Sequence, residues 1–125
     1  GHRIIHASPN LSCARLEMMV QLHRLDLYEI LFWIEIDIPA SLHHIVASLG
    51  SPPDTWTESQ CRAEGVRFLN DEQASLMYGP SAASFPEFNI LIKQDHPEFQ
   101  LITASDPRPL HWNSRLLSLM KRRLV

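Results

Sequence analysis

The sequence predicts an α+β fold in a single domain, a mixed central sheet with flanking helices. Three observations lead there. The chain has 125 residues, a length suited to one domain. Apolar residues recur with period two in some segments and with helical spacing in others. The two kinds of segment do not alternate strictly, as a repeated strand–helix unit would. A domain of this size buries about two-thirds of its unfolded surface, enough for a core.

The elements follow in order. Ile4-Ile5 opens as a short strand. Ser8-Pro9 then reads as a helix start, because serine caps and proline is tolerated at the first helical position. Leu11, Ala14, Met18 and Leu22 continue at helical spacing to about His23, with Cys13, Met19 and Val20 widening the stripe. Glu17 lies beside that apolar face. "EILFWIEIDIP" is the clearest strand: Ile30, Phe32, Ile34, Ile36 and Ile38 share one face and Leu31, Trp33, Glu35 and Asp37 the other, until Pro39 ends it. "SLHHIVASLG" reads as one or two helical turns, and residues 50–54 as a loop. Thr57 caps a helix carrying Cys61, Ala63, Val66, Phe68 and Leu69. "ASLMYGPS", "NILIK" and "FQLITAS" read as strands, the last two joined by a turn at Asp95-His96-Pro97. Ser114 to Arg123 forms a closing helix with Leu116, Leu117, Leu119 and Met120.

Composition narrows the function. The formal net charge is −3, which argues against nucleic acid as a partner of the whole surface. The one basic cluster, Lys121-Arg122-Arg123, suits the last turn of a helix, where the dipole favours cations. Cys13 and Cys61 lack any CxxC pattern and read as two free thiols in a reducing compartment. No run approaches the length of a membrane span and no signal peptide is visible, so a cytoplasmic protein is expected. Among the seven histidines there is no HExxH or HxH. His43 and His44 are adjacent and point in different directions, so no metal site is expected. Ser81 lacks the GxSxG elbow of a triad hydrolase.

Three polar residues do not fit a plain core. Asn89 opens the apolar run Ile90-Leu91-Ile92, where a buried amide needs partners. Ser81 stands between Pro80 and two alanines. Glu17 borders a Met/Leu/Val stripe. Each has a bland explanation: an amide bonded to backbone, a turn hydroxyl, a carboxylate solvated at the stripe edge. The functional explanation is that all three line one ligand site.

Taken together, these segments resemble the RES-domain family. "RIIHASPNLSCARLEMMVQL" resembles that family's strand, Tyr-x-Ser and Glu-bearing helix. "GVRFLNDEQASLMYGPSAASFPEFNILIKQDHPEF" resembles its second hallmark, in which Pro-Ser-Ala leads to Asn, a strand and His-Pro-x-Phe. "PLHWNSRLL" is similar to its usual close. The resemblance spans nearly the whole chain. It implies an ADP-ribosyltransferase-like fold and an enzyme of NAD⁺ degradation, of the kind found in bacterial toxin–antitoxin pairs.

Under that resemblance Glu17 and Ser81 match the catalytic Glu and Ser, and Asn89 the Asn that follows. His6 stands where the family usually has Tyr, and Ser8 matches the Ser two residues on. Residues 1–125 then form one RES-like domain without the family's N-terminal arginine-bearing segment, and Arg3 is the only arginine nearby for the pyrophosphate. NAD⁺ is the implied substrate, with no cofactor. The implied protein partners are a cognate antitoxin or immunity protein and a second copy in a homo-oligomer. The resemblance also allows delivery into a target-cell cytoplasm as an effector. The nicotinamide–ribose bond would break by hydrolysis or phosphorolysis. Glu17 would face the cationic ribose, while Ser81 and Asn89 would bind ribose hydroxyls or the carboxamide. Bulk at Ser81 would then close the cleft. The alternative is a non-catalytic RES-like module that binds a partner.

Overall fold

The computed structural model describes residues 3–124, with the backbone alone for 123 and 124. The chain runs β1 (Ile4–Ala7), α1 (Leu11–Gln21), a 3-10 stretch Leu25–Ile30, β2 (Phe32–Trp33), β3 (Ile36–Asp37) and β4 (His44–Val46). A 3-10 turn at Pro53–Thr55 precedes α2 (Glu58–Asn70), β5 (Leu76–Pro80) and β6 (Phe88–Lys93). A 3-10 turn at Pro97–Leu101, β7 (Thr103–Ala104), β8 (Arg108–Pro109) and α3 (Ser114–Leu124) complete it.

The central sheet has the order β1-β6-β5-β4. β6 is antiparallel to both neighbours, and β4 runs parallel to β5, so the sheet is mixed. The period of two in β5 and β6 divides its faces. One face carries Ile5, Leu76, Ile90 and Ile92, which pack with Leu42, Ile36, Ile38 and Phe99. The other carries Ile4, Ile45, Met77 and Leu91, covered by Phe68 of α2. A third cluster lies off the sheet, where Tyr28, Trp112 and Met120 join α1, the 3-10 stretch and α3 through Met18, Met19 and Leu117. The α+β class and the mixed sheet with flanking helices are therefore as the sequence predicts.

Local chemistry explains several boundaries. Thr57 and Gln60 form a reciprocal capping box at the start of α2. α1 is capped by Asn10, whose side-chain oxygen accepts from the Cys13 N–H at 2.8 Å. The expected cap, Ser8, is instead turned toward β6. α3 ends in the expected basic turn, although the side chain of Arg123 lies outside the described residues.

Three expected elements differ. "EILFWIEIDIP" is not one strand. Its first two residues close the 3-10 stretch, in which buried Tyr28 donates its hydroxyl proton toward the Leu22 and Met18 carbonyls at the end of α1. The remainder is split into β2 and β3, which pair with β8 and β7 separately. Glu35 lies between them, and its N–H donates to the Ser105 hydroxyl. Of the expected inner face, only Ile36 and Ile38 reach the core, while Ile30 and Phe32 are 65% and 62% exposed. "SLHHIVASLG" is not helical: His44–Val46 forms the parallel edge strand, as suits the β-branched pair Ile45-Val46. "FQLITAS" contributes only the two residues of β7, because Pro97 starts a 3-10 turn in which the His96 side chain accepts from the Glu98 N–H.

Candidate functional site

Glu17 lies on α1, Ser81 just beyond the end of β5 and Asn89 near the start of β6. The structure brings all three together. The Ser81 hydroxyl donates to Glu17 Oε1 at 2.5 Å, and the Asn89 amide donates to the same oxygen at 2.8 Å. Both side-chain donors thus converge on one carboxylate oxygen. The backbone N–H of Ala83 also hydrogen-bonds this carboxylate.

Burial alone would raise the Glu17 pKa. The hydrogen bonds from Ser81, Asn89 and Ala83 and the nearby His6 charge outweigh it, so the carboxyl lies below its ordinary value. At neutral pH this site holds a fixed negative charge.

The amide of Asn89 is itself oriented. Its oxygen faces the Ser8 hydroxyl at 3.4 Å and the Cys13 sulfur at 3.8 Å, which turns the nitrogen toward Glu17. Ser81 is completely buried. Its hydroxyl oxygen accepts from the Ser84 N–H at 3.0 Å while donating to Glu17. The Cys13 thiol lies 3.7 Å away. With its donor spent and its surface covered, Ser81 holds Glu17 and cannot reach a ribose hydroxyl. The notion that bulk at Ser81 would close a cleft is corrected: bulk there would meet packed protein.

The loop between β5 and β6 is tied to α1. The Asn10 amide donates to Glu87 Oε2 at 2.8 Å, and the Ser84 hydroxyl to Glu87 Oε1 at 2.5 Å. The Ser81 N–H donates to the Glu87 carbonyl at 2.7 Å. One residue thereby joins the cap of α1 to the loop that supplies the Ser81 and Ala83 donors. The sequence reading placed the cap at Ser8 and singled out none of Asn10, Glu87, Ser84 or the Ala83 N–H.

The sheet beside this cluster is open. Gly79 pairs with Asn89, so a side chain there would project on the same face. A Cβ built on Gly79 would meet nothing within 4 Å. His6 stands on that face too, paired with Leu91 two residues from Asn89, and is exposed.

Arg3 is not brought to the cluster. It sits at the other end of β1, where its guanidinium contacts Asp95 at 3.1 Å on the exposed surface. A cleft of about 230 Å³ opens there between Arg3, Lys93 and His96, and another of about 420 Å³ lies between His43, His96 and Glu98. Neither is lined by Glu17, Ser81 or Asn89. Burial lowers the pKa of the Lys93 ammonium, which donates to the Asp71 carbonyl at 2.5 Å. His43 Nδ1 pairs with Glu98 at 3.0 Å. Among the described residues no group of three or more His, Cys, Asp or Glu is placed to hold a metal ion. No described helix is long and apolar enough to cross a membrane.

No protein-family model matches the chain, and no curated protein matches it in sequence.

Proposed function

We propose that the Glu17 cluster is the reacting end of an NAD⁺-degrading site of the RES type, in an ADP-ribosyltransferase-like fold. One observation carries this reading. A single carboxylate oxygen gathers donors from two residues that are 64 and 72 positions away in sequence, beside an open strip of sheet. A carboxylate so held is ionised and cannot swing away. Breaking the nicotinamide–ribose bond leaves positive charge on the ribose, and a fixed anion beside it stabilises that charge as it develops. Glu17 is the residue that faces the ribose. Asn89 and Ser81 position it, and Ser8 and Cys13 fix the orientation of Asn89.

The nicotinamide leaves with the bonding electron pair, and water or phosphate takes its place on the anomeric carbon. The family resemblance supplies the biological frame: a toxin acting in a bacterial cytoplasm, either its own or that of a target cell, and countered by an antitoxin or immunity protein. Assembly into a homo-oligomer belongs to the same frame.

The second reading, a non-catalytic module that binds a partner, is favoured by one observation. Pyrophosphate recognition normally uses an arginine fork. Arg3 pairs with Asp95, Arg15 donates to the His111 carbonyl, and Arg24 pairs with Asp26. None of these three is directed at Glu17.

The test is to incubate the protein with NAD⁺, with and without phosphate, and to separate the products. The first reading expects nicotinamide with ADP-ribose, or with ADP-ribose 1-phosphate when phosphate is present. Glu17→Gln keeps an oxygen for Ser81 and Asn89 but loses the charge. Its rate should fall about a hundredfold to a thousandfold. Glu17→Gln turning over at the parental rate would overturn the assignment of Glu17. A parental protein that leaves NAD⁺ intact would favour the binding module.

A further inference from the structure

An exposed histidine stands beside the cluster, close enough for its charge to act on Glu17. His6 lies on β1, the edge strand of the central sheet, in register with Leu91. Alternation places His6 and Ser8 on the face that carries Asn89 and Leu91. His6 and Asn89 are then diagonal neighbours across the β1–β6 ladder, about 7–8 Å apart. Asn89 in turn donates to Glu17. The His6 side chain is exposed, and among the described residues it makes no hydrogen bond or ion pair. Gly79, across β6, leaves the space next to Asn89 open. An imidazole, a held carboxylate and an open strip thus share one patch of sheet.

We infer that His6 is the general base that activates the incoming nucleophile at the Glu17 site. This rests on the NAD⁺-cleaving reading and adds a second catalytic residue to it. The two groups divide the work. Glu17 already spends Oε1 on two donors and is held ionised, so it serves as a fixed charge. His6, exposed and without a hydrogen-bond partner among the described residues, can accept a proton in its neutral form, and the imidazolium it becomes lies beside the Glu17 carboxylate. The bond between the anomeric carbon and the nicotinamide nitrogen breaks, and its electron pair neutralises the pyridinium. The oxygen of water bonds to the anomeric carbon, and its proton passes to the free ring nitrogen of His6. The imidazolium then returns that proton to solvent. The products are nicotinamide, ADP-ribose and one proton, so no further reactant is needed; phosphate enters by the same path when it replaces water.

The titratable groups around His6 are Glu17 of α1, on which its charge acts, and Lys93, its other diagonal neighbour, from β6, while the Cys13 thiol of α1 lies against Asn89 and Ser81.

The test compares the pH dependence of NAD⁺ cleavage in the parental protein, His6→Gln and His6→Ala. The parental kcat should rise with pH, as for a reaction that needs its base unprotonated. His6→Gln should lower kcat about a hundredfold, flatten that rise and leave KM little changed. Imidazole added to His6→Ala should restore part of the rate. A His6→Gln protein that keeps both the rate and the pH dependence would overturn the assignment, while loss of activity in Glu17→Gln would still stand. A raised KM at unchanged kcat would also overturn it, making His6 a binding surface. Absence of cleavage by the parental protein would overturn the NAD⁺-cleaving reading and this assignment with it. Since His6 is exposed, circular dichroism should show each variant folded.

Discussion

At the scale of the residue, the site depends on a hydroxyl that no solvent touches. Ser81 donates a hydrogen bond to Glu17 and accepts one from the Ser84 N–H. Ser81→Ala removes both bonds and leaves the Ser84 N–H without that acceptor. The expected cost is about 1–3 kcal/mol in chemical denaturation. It also removes one of the hydrogen bonds that hold the Glu17 pKa down, so the carboxyl should titrate at higher pH in the variant. The sign for stability follows by linkage. A carboxylate whose folded pKa is depressed contributes stability above its unfolded pKa, and this is lost as pH falls through the folded value. The parental protein should therefore keep that contribution to lower pH than Ser81→Ala does. Carbon-detected NMR titration of Glu17 in the two proteins measures the shift directly. An unmoved titration would mean that Asn89 and Ala83 hold the charge without help. Sequence alone could place Glu17, Ser81 and Asn89 in one site, since each was chemically out of place. It could not distinguish the group that faces a ligand from the group that holds it, because that depends on burial.

At the scale of the element, the helix start and the sheet floor make separate claims. The Ser8-Pro9 pattern suggested a cap at Ser8, but the chain delays the helix until Leu11 and caps it with Asn10. Both residues are of capping type, and only the path of the chain out of β1 decides between them. Asn10→Ala should cost about 1 kcal/mol, with an upper range near 2. Ser8→Ala should cost less, since its one bond is a long 3.4 Å contact with Asn89. Urea denaturation of the two variants settles which residue caps, and equal losses would contradict the assignment. The isoleucine alternation of residues 30–38 misled for a related reason. Period two describes a strand only where a ladder partner runs alongside, and here the partners are two short, separate ones. β5 and β6 were legible because their alternation coincides with real burial on both faces. Their pairing sets Gly79 opposite Asn89 without a positive φ. Gly79→Val should therefore fold as well as the parent or better, since glycine in a strand carries an entropic cost of about 0.5–1 kcal/mol. If the Glu17 cluster is the proposed NAD⁺ site, this variant should nonetheless weaken NAD⁺ binding, because the new side chain fills the open strip. Calorimetric titration with NAD⁺ tests this; unchanged affinity in a folded Gly79→Val protein would place the ligand elsewhere.

At the scale of the whole molecule, the site is a seam between two packing units. The sheet has its own core, with Ile92 and Leu76 almost wholly buried on one face and Phe68 sealing the other. α1 and α3 pack on Tyr28 and Trp112, away from the sheet. Glu17 belongs to α1, while Ser81 and Asn89 belong to the β5–β6 hairpin, so the cluster joins the two units. Loosening the helical unit should therefore reach the site without dissolving the sheet. Met120 is buried in that unit, and Met120→Ala should cost about 2–5 kcal/mol. Native-state hydrogen exchange should show the loss concentrated in α1 and α3, with the β5 and β6 amides retaining their protection. The Glu17 carboxyl should titrate at higher pH, because α1 would hold it less firmly against Ser81 and Asn89. Equal loss of protection in β5 and β6 would instead make the protein one cooperative unit, and Glu17 would then owe its position to the whole core instead of to a seam.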